Sequence, residues 1–298
     1  MAIGRLPRVP EAADDAELER RAAKSFWRGL RQNPLGIVGL AIVVFYALVA
    51  ILAPILAPYN PTLVQLSQRL LPPSRAHLFG TDGVGLDVFS RVIWGARIDL
   101  TSALLVVVVA GTVGTAVGMA AGWFGGWWEE VLMRITDIFL AFPGLILAMA
   151  ISAVLKPDLT NALLAISVTW WPTYARLGRG QTLSLRGLEF VEAARSEGAS
   201  TGKIMRKHLL PNAIAPLLVQ ATLDLGSVIL VAAGLSFIGF GAQPPTPEWG
   251  VMVSDGQTYL MTQWWIATFP GLAIMVTVLA TNMLGDGLRD TLDPRLKD

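Results

Sequence analysis

The chain has 298 residues, of which 53% are apolar and only 15% charged; its net charge is +1. That balance excludes an ordinary soluble globular chain and points to lipid as the solvent for much of it. Cysteine is absent, which excludes a disulfide framework, a thiolate metal site and a thiol nucleophile.

The N-terminal stretch, residues 1–34, has no apolar core near its start, so it does not read as a cleaved secretory signal and is expected to be cytosolic. Six apolar segments follow, at residues 35–56, 100–122, 133–155, 159–177, 212–241 and 264–284. A spanning helix needs about 20 residues, so the pattern predicts an all-α polytopic membrane protein with six transmembrane helices. The expected layout is a first helix over residues 35–57, an extracytoplasmic loop over 58–98, a core transmembrane domain over 99–288 with a cytoplasmic loop at 178–211, and a cytosolic tail at 289–298. The fifth segment is long enough to tilt or break, and Gly234, Gly239 and Gly241 mark where.

Lys and Arg set the orientation. They crowd before the first segment, between the fourth and fifth (Arg176, Arg179, Arg186, Arg195, Lys203, Arg206 and Lys207) and after the sixth (Arg289, Arg295 and Lys297). The excess of cations on one side places both termini in the cytoplasm, leaving Arg69, Arg75, Arg91, Arg97 and Lys156 outside. Tryptophan prefers the membrane interface, and Trp27, Trp94, Trp123, Trp127, Trp128, Trp249, Trp264 and Trp265 all fall at or beyond a segment end. Trp170 and Trp171 sit inside the fourth segment directly before Pro172, where helix packing and a pathway-lining role are both open. Gly111, Gly114, Gly118 and Gly122 recur every three or four residues in the second segment, a small-residue face that a partner helix must fill.

Between the fourth and fifth segments lies E-F-V-E-A-A-R-S-E-G-A-S-T-G-K-I-M-R-K-H-L-L-P from Glu189 to Pro211. Gly198 can end a first short helix in the left-handed conformation. A second helix, over residues 201–209, is expected to stop at Pro211. Such a hairpin resembles the E-A-A-x-x-x-G cytoplasmic loop of ABC importer permeases, with His208 where that pattern carries Ile. Residues 79–97 (F-G-T-D-G-V-G-L-D-V-F-S-R-V-I-W-G-A-R), 133–143 (M-R-I-T-D-I-F-L-A-F-P), 241–250 (G-A-Q-P-P-T-P-E-W-G) and 285–296 (G-D-G-L-R-D-T-L-D-P-R-L) resemble the C-type permeases of dipeptide, oligopeptide and nickel importers. Leu86 stands where those proteins carry Arg in a G-R-D pattern.

The resemblance implies a type I ABC importer permease fold, with Glu192, Ala193, Ala194 and Gly198 meeting a cytoplasmic ATPase. It implies a homologous B-type permease, two ATPase subunits that hold ATP and Mg, and an extracytoplasmic binding protein. The cargo it implies is a short peptide, with nickel complexes or glutathione as the alternative. An autonomous secondary transporter is the rival, and it calls for internal repeats that the chain does not display.

No catalytic constellation is present: His77 and His208 are the only histidines, and neither H-E-x-x-H nor G-x-S-x-G occurs. Gly198 to Lys203 (G-A-S-T-G-K) mimics a phosphate-binding loop, but one residue too few separates its glycines and Ile204 follows the Lys. The chain is therefore expected to bind no cofactor, no metal and no nucleic acid. Asp82, Gly83, Gly85 and Asp87 resemble a calcium loop only superficially, since the bidentate Glu is missing. Arg134 and Asp137 are expected to pair along one helix face. Asp224 stands alone in the fifth segment. It is a candidate for the translocation path, facing a cationic group of the cargo, or for a pair with a cation of a second permease, or else a protonated or locally hydrogen-bonded group.

Overall fold

The computed structural model describes residues 33–292. The lead-in predicted for residues 1–34 lies outside the described residues except for its last two, and so do Trp27, Arg295 and Lys297. Among the described residues there is no strand, only an isolated bridge between Thr81 and Asp87.

Helix α1 (Pro34–Leu56) opens on Asn33, whose side chain accepts from Gly36 N at 3.0 Å, with Pro34 in the first turn where its missing N–H leaves nothing unpaired. Its buried residues are Gly36, Gly39, Ala50 and Ala53 alone, so one thin face meets the protein and the rest is apolar surface suited to lipid. Helix α2 (Val88–Phe124) begins twelve residues earlier than the apolar run predicts, because Asp87 caps it by accepting from Ser90 N at 2.8 Å. The loop read as residues 58–98 is correspondingly shorter. Helices α3 (Gly126–Leu140) and α4 (Gly144–Leu155) meet at 87°, so the third predicted segment is a bent pair rather than one straight helix. Pro143 between them cannot continue α3.

Helix α5 (Leu159–Leu185) runs on through Pro172 and past Arg176 and Arg179. It fills the glycine groove of α2: a Cβ on Gly114 or Gly118 would collide with the α5 main chain at Trp171 and Ala175. Helices α6 (Glu189–Ser196) and α7 (Thr201–Ile204) form the predicted hairpin, but Pro211 does not stop the second arm. A π turn over Met205–Leu209 carries α7 into α8 (Leu210–Ile238), with Pro211 in the first turn of α8. The wider turn, in which Leu210 N donates to Met205 O, accommodates a residue that has no N–H to give and needs room toward the preceding carbonyls.

The break expected in the fifth segment falls at Gly239, whose φ of +95° ends α8 in the left-handed conformation. Gly234 lies inside the unbroken helix. A loop leads to α9 (Trp249–Gly256) and then α10 (Trp265–Leu292). By length and composition α1, α2, α7 with α8, and α10 can cross a membrane, and the bent α3–α4 pair makes a fifth. Helix α5, at 27 residues, is long enough but more polar than these.

The core lies where α2, α5, α8, α9 and α10 converge, around Val106, Ile166, Val228, Leu235 and Trp249. Asn33 Nδ2 donates to Asp290 Oδ2 at 2.8 Å, which brings the first and last described helix ends to one side of the molecule. Trp249 and Trp265, read from sequence as interface rings, are instead protein-buried. Trp127, Trp128 and Trp264 are exposed.

Candidate functional site

The hairpin divides into an inner and an outer face. Val191 and Ala194 of α6 pack with Ile204 and Leu209 against Met119 near the end of α2, with Trp123 alongside. Arg195 places its guanidinium 4.9 Å from the Trp123 ring centroid. Glu192, Ala193 and Gly198 are exposed. Of the four small or acidic residues singled out in the E-A-A-x-x-x-G pattern, Ala194 therefore belongs to the buttress and the other three to the free face. Gly198 has a φ of +78° and open space around it, so its glycine answers the backbone and not crowding within the chain. Gly198 N donates to Arg195 O and Ala199 N to Ala194 O, both at 3.0 Å, which closes α6 with a Schellman motif. The G-A-S-T-G-K stretch joins two helices and follows no strand, unlike a phosphate-binding loop.

Asp224 is buried on α8, where Gln220 Nε2 donates to its Oδ1 at 3.0 Å. Trp170 and Tyr174 of α5 lie against the same carboxylate. Trp170 and Asp224 are thus brought together, whereas Trp171 turns to α3, its ring centroid 5.5 Å from that of Phe139. Pro172 is buried in α5. Beside Tyr174, an apolar groove of about 530 Å³ runs between α2 and α8, lined also by Gly111, Thr115, Leu217 and Ala221.

Arg134 and Asp137 do not pair. Arg134 reaches Glu130 one turn away at 3.6 Å, and Asp137 takes Arg176 of α5 at 2.7 Å. Arg179 Nε donates to Glu129 Oε1 at 2.6 Å, so two of the α3 carboxylates, Glu129 and Asp137, are spent on α5 across an open cleft of about 570 Å³. A helix-face argument sees neighbours on one helix and misses a second helix that presents two guanidiniums.

At the opposite end of α2 the structure assembles groups that the sequence presents as scattered loop charges. Arg91 is 2% exposed and donates to Asp82 Oδ2 at 2.7 Å. Its Nη2 lies 3.9 Å from Asp255 of α9, whose carboxyl burial pushes up against the pull of that guanidinium. Asp82 also accepts from Val84 N and Leu86 N, and Asp87 from Ser90 while contacting His77 Nδ1 at 2.9 Å. These carboxylates are committed to the fold, and among the described residues no His, Asp and Glu side chains gather as a metal-holding group. Leu86 is itself buried at 1% exposure. Two further buried carboxyls, Asp99 and Glu248, also escaped the sequence reading; the one signal was Glu248 before Trp249, an acidic cap at a helix start.

Residues 114–298 match the family model described as binding-protein-dependent transport system inner membrane component. Residues 22–73 match the N-terminal transmembrane domain of oligopeptide transport permease C. The chain is 47% identical over 273 residues to a probable D,D-dipeptide transport system permease protein of Escherichia coli strain K12, covering 92% of this chain and 91% of that one. It is 43% identical over 273 residues to a glutathione transport system permease protein of Escherichia coli O6:K15:H31, covering 91% and 90%. In fold it is similar to the MetNI methionine ABC transporter in inward-facing conformations, with a TM-score of 0.50 at 20% identity, over 67% of this chain and 98% of that one.

The all-α fold and these matches define a polytopic inner-membrane permease of the type I importer fold. The chain belongs to the family of binding-protein-dependent transport system inner membrane components, and within it to the C-type permeases of ABC importers.

Proposed function

We propose that this permease moves short peptides inward by alternating access, driven by two cytoplasmic ATPase subunits that hold the ATP and Mg. A homologous B-type permease completes the membrane part, and an extracytoplasmic binding protein delivers the cargo. The observation that carries this reading is the hairpin: Glu192, Ala193 and Gly198 form a free face, while Val191 and Ala194 seat the hairpin on α2 and the π turn joins it without interruption to α8. A push on that face is transmitted to two long helices as a rigid body, which is what a domain-rocking mechanism requires. Both termini and the hairpin lie on the cytoplasmic side in this reading, and the loop at residues 57–87 lies outside. Asp224 with Trp170, and Trp171 with Pro172, are the candidates for the path.

Peptide cargo rests on the functions the relatives are named for, a probable D,D-dipeptide transport system and a glutathione transport system. Glutathione is itself a short peptide, so it stands as the second reading within one cargo class, and nickel complexes as a more distant one. Native mass spectrometry of the chain extracted gently from its own membrane tests the assembly. Two ATPase subunits and one related permease are expected to remain bound. A lone chain, or a homo-oligomer that still transports after ATP depletion, would replace this reading with a secondary transporter.

A further inference from the structure

Asp99 and Glu248 meet where the loop after α8 crosses α2, away from the hairpin. Asp99 is 3% exposed and Glu248 1%. Glu248 Oε2 accepts from Val251 N at 2.8 Å and caps α9; Asp99 Oδ2 accepts from Trp249 N at 3.1 Å. The two carboxyls are hydrogen-bonding neighbours of each other, and Glu248 Oε1 is buried with no donor among the described residues.

Two carboxylates in contact in a buried site cannot both stay ionised, because each repels the other and neither is solvated. The elements packed around them supply no cation to relieve this. On α2, Arg91 is taken up by Asp82 and reaches only Thr246 O and Asp255, and Arg97 is exposed over Trp94. On α9, Asp255 adds a further negative group. From α8 comes the neutral hydroxyl of Ser236, and from α1 comes Tyr46, edge-on to Trp249 at 5.9 Å with its hydroxyl beside Thr277. The ionisable groups of α10, namely Asp286, Arg289 and Asp290, sit in its last turns, far from Trp265 at its start.

We propose that Asp99 and Glu248 hold one proton between them, and that this shared proton is a latch fastening α9 to α2. With the proton bound, one O–H donates across the pair while Asp99 keeps Trp249 N and Glu248 keeps its cap. Trp249 is thereby seated, fully buried, with Nε1 donating to Val92 O at 3.0 Å and its ring in the space left by Gly95. When the proton leaves, the two charges repel and the seat loosens. Burial pushes the Glu248 carboxyl upward, so the folded state holds the proton more tightly than the unfolded chain. The latch is therefore closed at low pH and is lost as pH rises through the folded-state value.

The test is made on the full chain in its native complex in lipid nanodiscs, by infrared titration and by thermal unfolding across pH. In Glu248→Gln the amide N–H donates permanently to Asp99 while the amide oxygen keeps the Val251 cap. Wild type is expected to show the C=O stretch of a protonated carboxylic acid at neutral pH and to lose stability with rising pH, by up to about tenfold in the equilibrium per pH unit. In Glu248→Gln that band is lost and that slope falls by the share the pair carries; in Asp224→Asn, which removes a buried carboxyl outside the pair, both persist. A band or a slope unchanged in Glu248→Gln would overturn the proposal. If that variant does not fold, Asp99→Asn preserves the same bonds with the donor reversed and decides between the same outcomes.

Discussion

The guanidinium of Arg91 is buried, and Asp82, facing it at 2.7 Å, compensates its charge. Desolvating two ions costs several kcal/mol, their pairing offsets it, and removing one partner strands the other. Arg91→Met is expected to destabilise the protein by about 3–5 kcal/mol, and adding Asp82→Asn, which removes the charge while its amide oxygen still accepts from Val84 N and Leu86 N, is expected to recover part of the loss. Thermal unfolding of both singles and the double decides: additive effects would mean that the pair is not the source of the cost. Asp224 poses a different question, because its neighbours on α8 and α5 are neutral. If its charge meets the amino end of a peptide, Asp224→Asn lowers uptake of peptides with a free amino group by roughly tenfold, the weight of one charged hydrogen bond. N-acetylated peptides and the unfolding midpoint are unaffected. Equal uptake of both peptide classes by wild type and variant would reduce Asp224 to a structural role. Asp224 was visible in the sequence as a lone charge in an apolar run. Arg91, Asp99 and Glu248 were not, since burial of a charge near a helix end depends on which distant segment folds over it, and no local pattern encodes that.

At the scale of elements, the glycine stripe of α2 and the hairpin were both legible, because small residues at helical spacing and a glycine helix stop act locally. The path of the chain after the hairpin was not, since a proline normally ends a helix and only the π turn before Pro211 lets α7 run into α8. Two substitutions on the α2 stripe separate contact from collision. Gly118→Val is expected to prevent assembly of α2 with α5, because the α5 main chain at Ala175 occupies the space of any side chain, whereas at Gly111 a Cβ would lie 3.5 Å from Tyr174 Cε1, an ordinary contact. Gly111→Ala should thus fold within about 1 kcal/mol of wild type, helped by the better helix propensity of Ala. Yield and unfolding midpoint of the two variants check this, and equal tolerance would refute the packing argument. On the hairpin, Gly198→Ala is expected to cost about 1 kcal/mol through its left-handed φ. Gly198→Leu adds bulk on the free face and is expected to abolish ATP-coupled uptake while the membrane helices stay folded. Normal ATP-coupled uptake by Gly198→Leu would remove the hairpin from the coupling mechanism.

For the molecule as a whole, the helix ends sort onto two sides without reference to a membrane. Asn33 and Asp290 join on one side, where α1 begins and α10 ends, and Tyr59 N donates to Ser90 Oγ at 3.1 Å on the other, where α1 has ended and α2 begins. Because α2 runs from Ser90 to the Trp123 that carries Arg195, the hairpin falls on the Asn33 side. The cations between residues 176 and 207 belong to that side, and the positive-inside preference is the ground on which we propose that it faces the cytoplasm. The chain has no cysteine, so single cysteines report topology without background. Ser196→Cys on the exposed arm of α6 and Ser74→Cys in the exposed loop before α2 should react with a membrane-impermeant maleimide from opposite sides. In right-side-out vesicles Ser74→Cys is expected to label and Ser196→Cys to label only after permeabilisation. The reverse pattern would invert the orientation and place the hairpin beyond the reach of any cytoplasmic ATPase. Labelling of both from one side would contradict the helix parity itself.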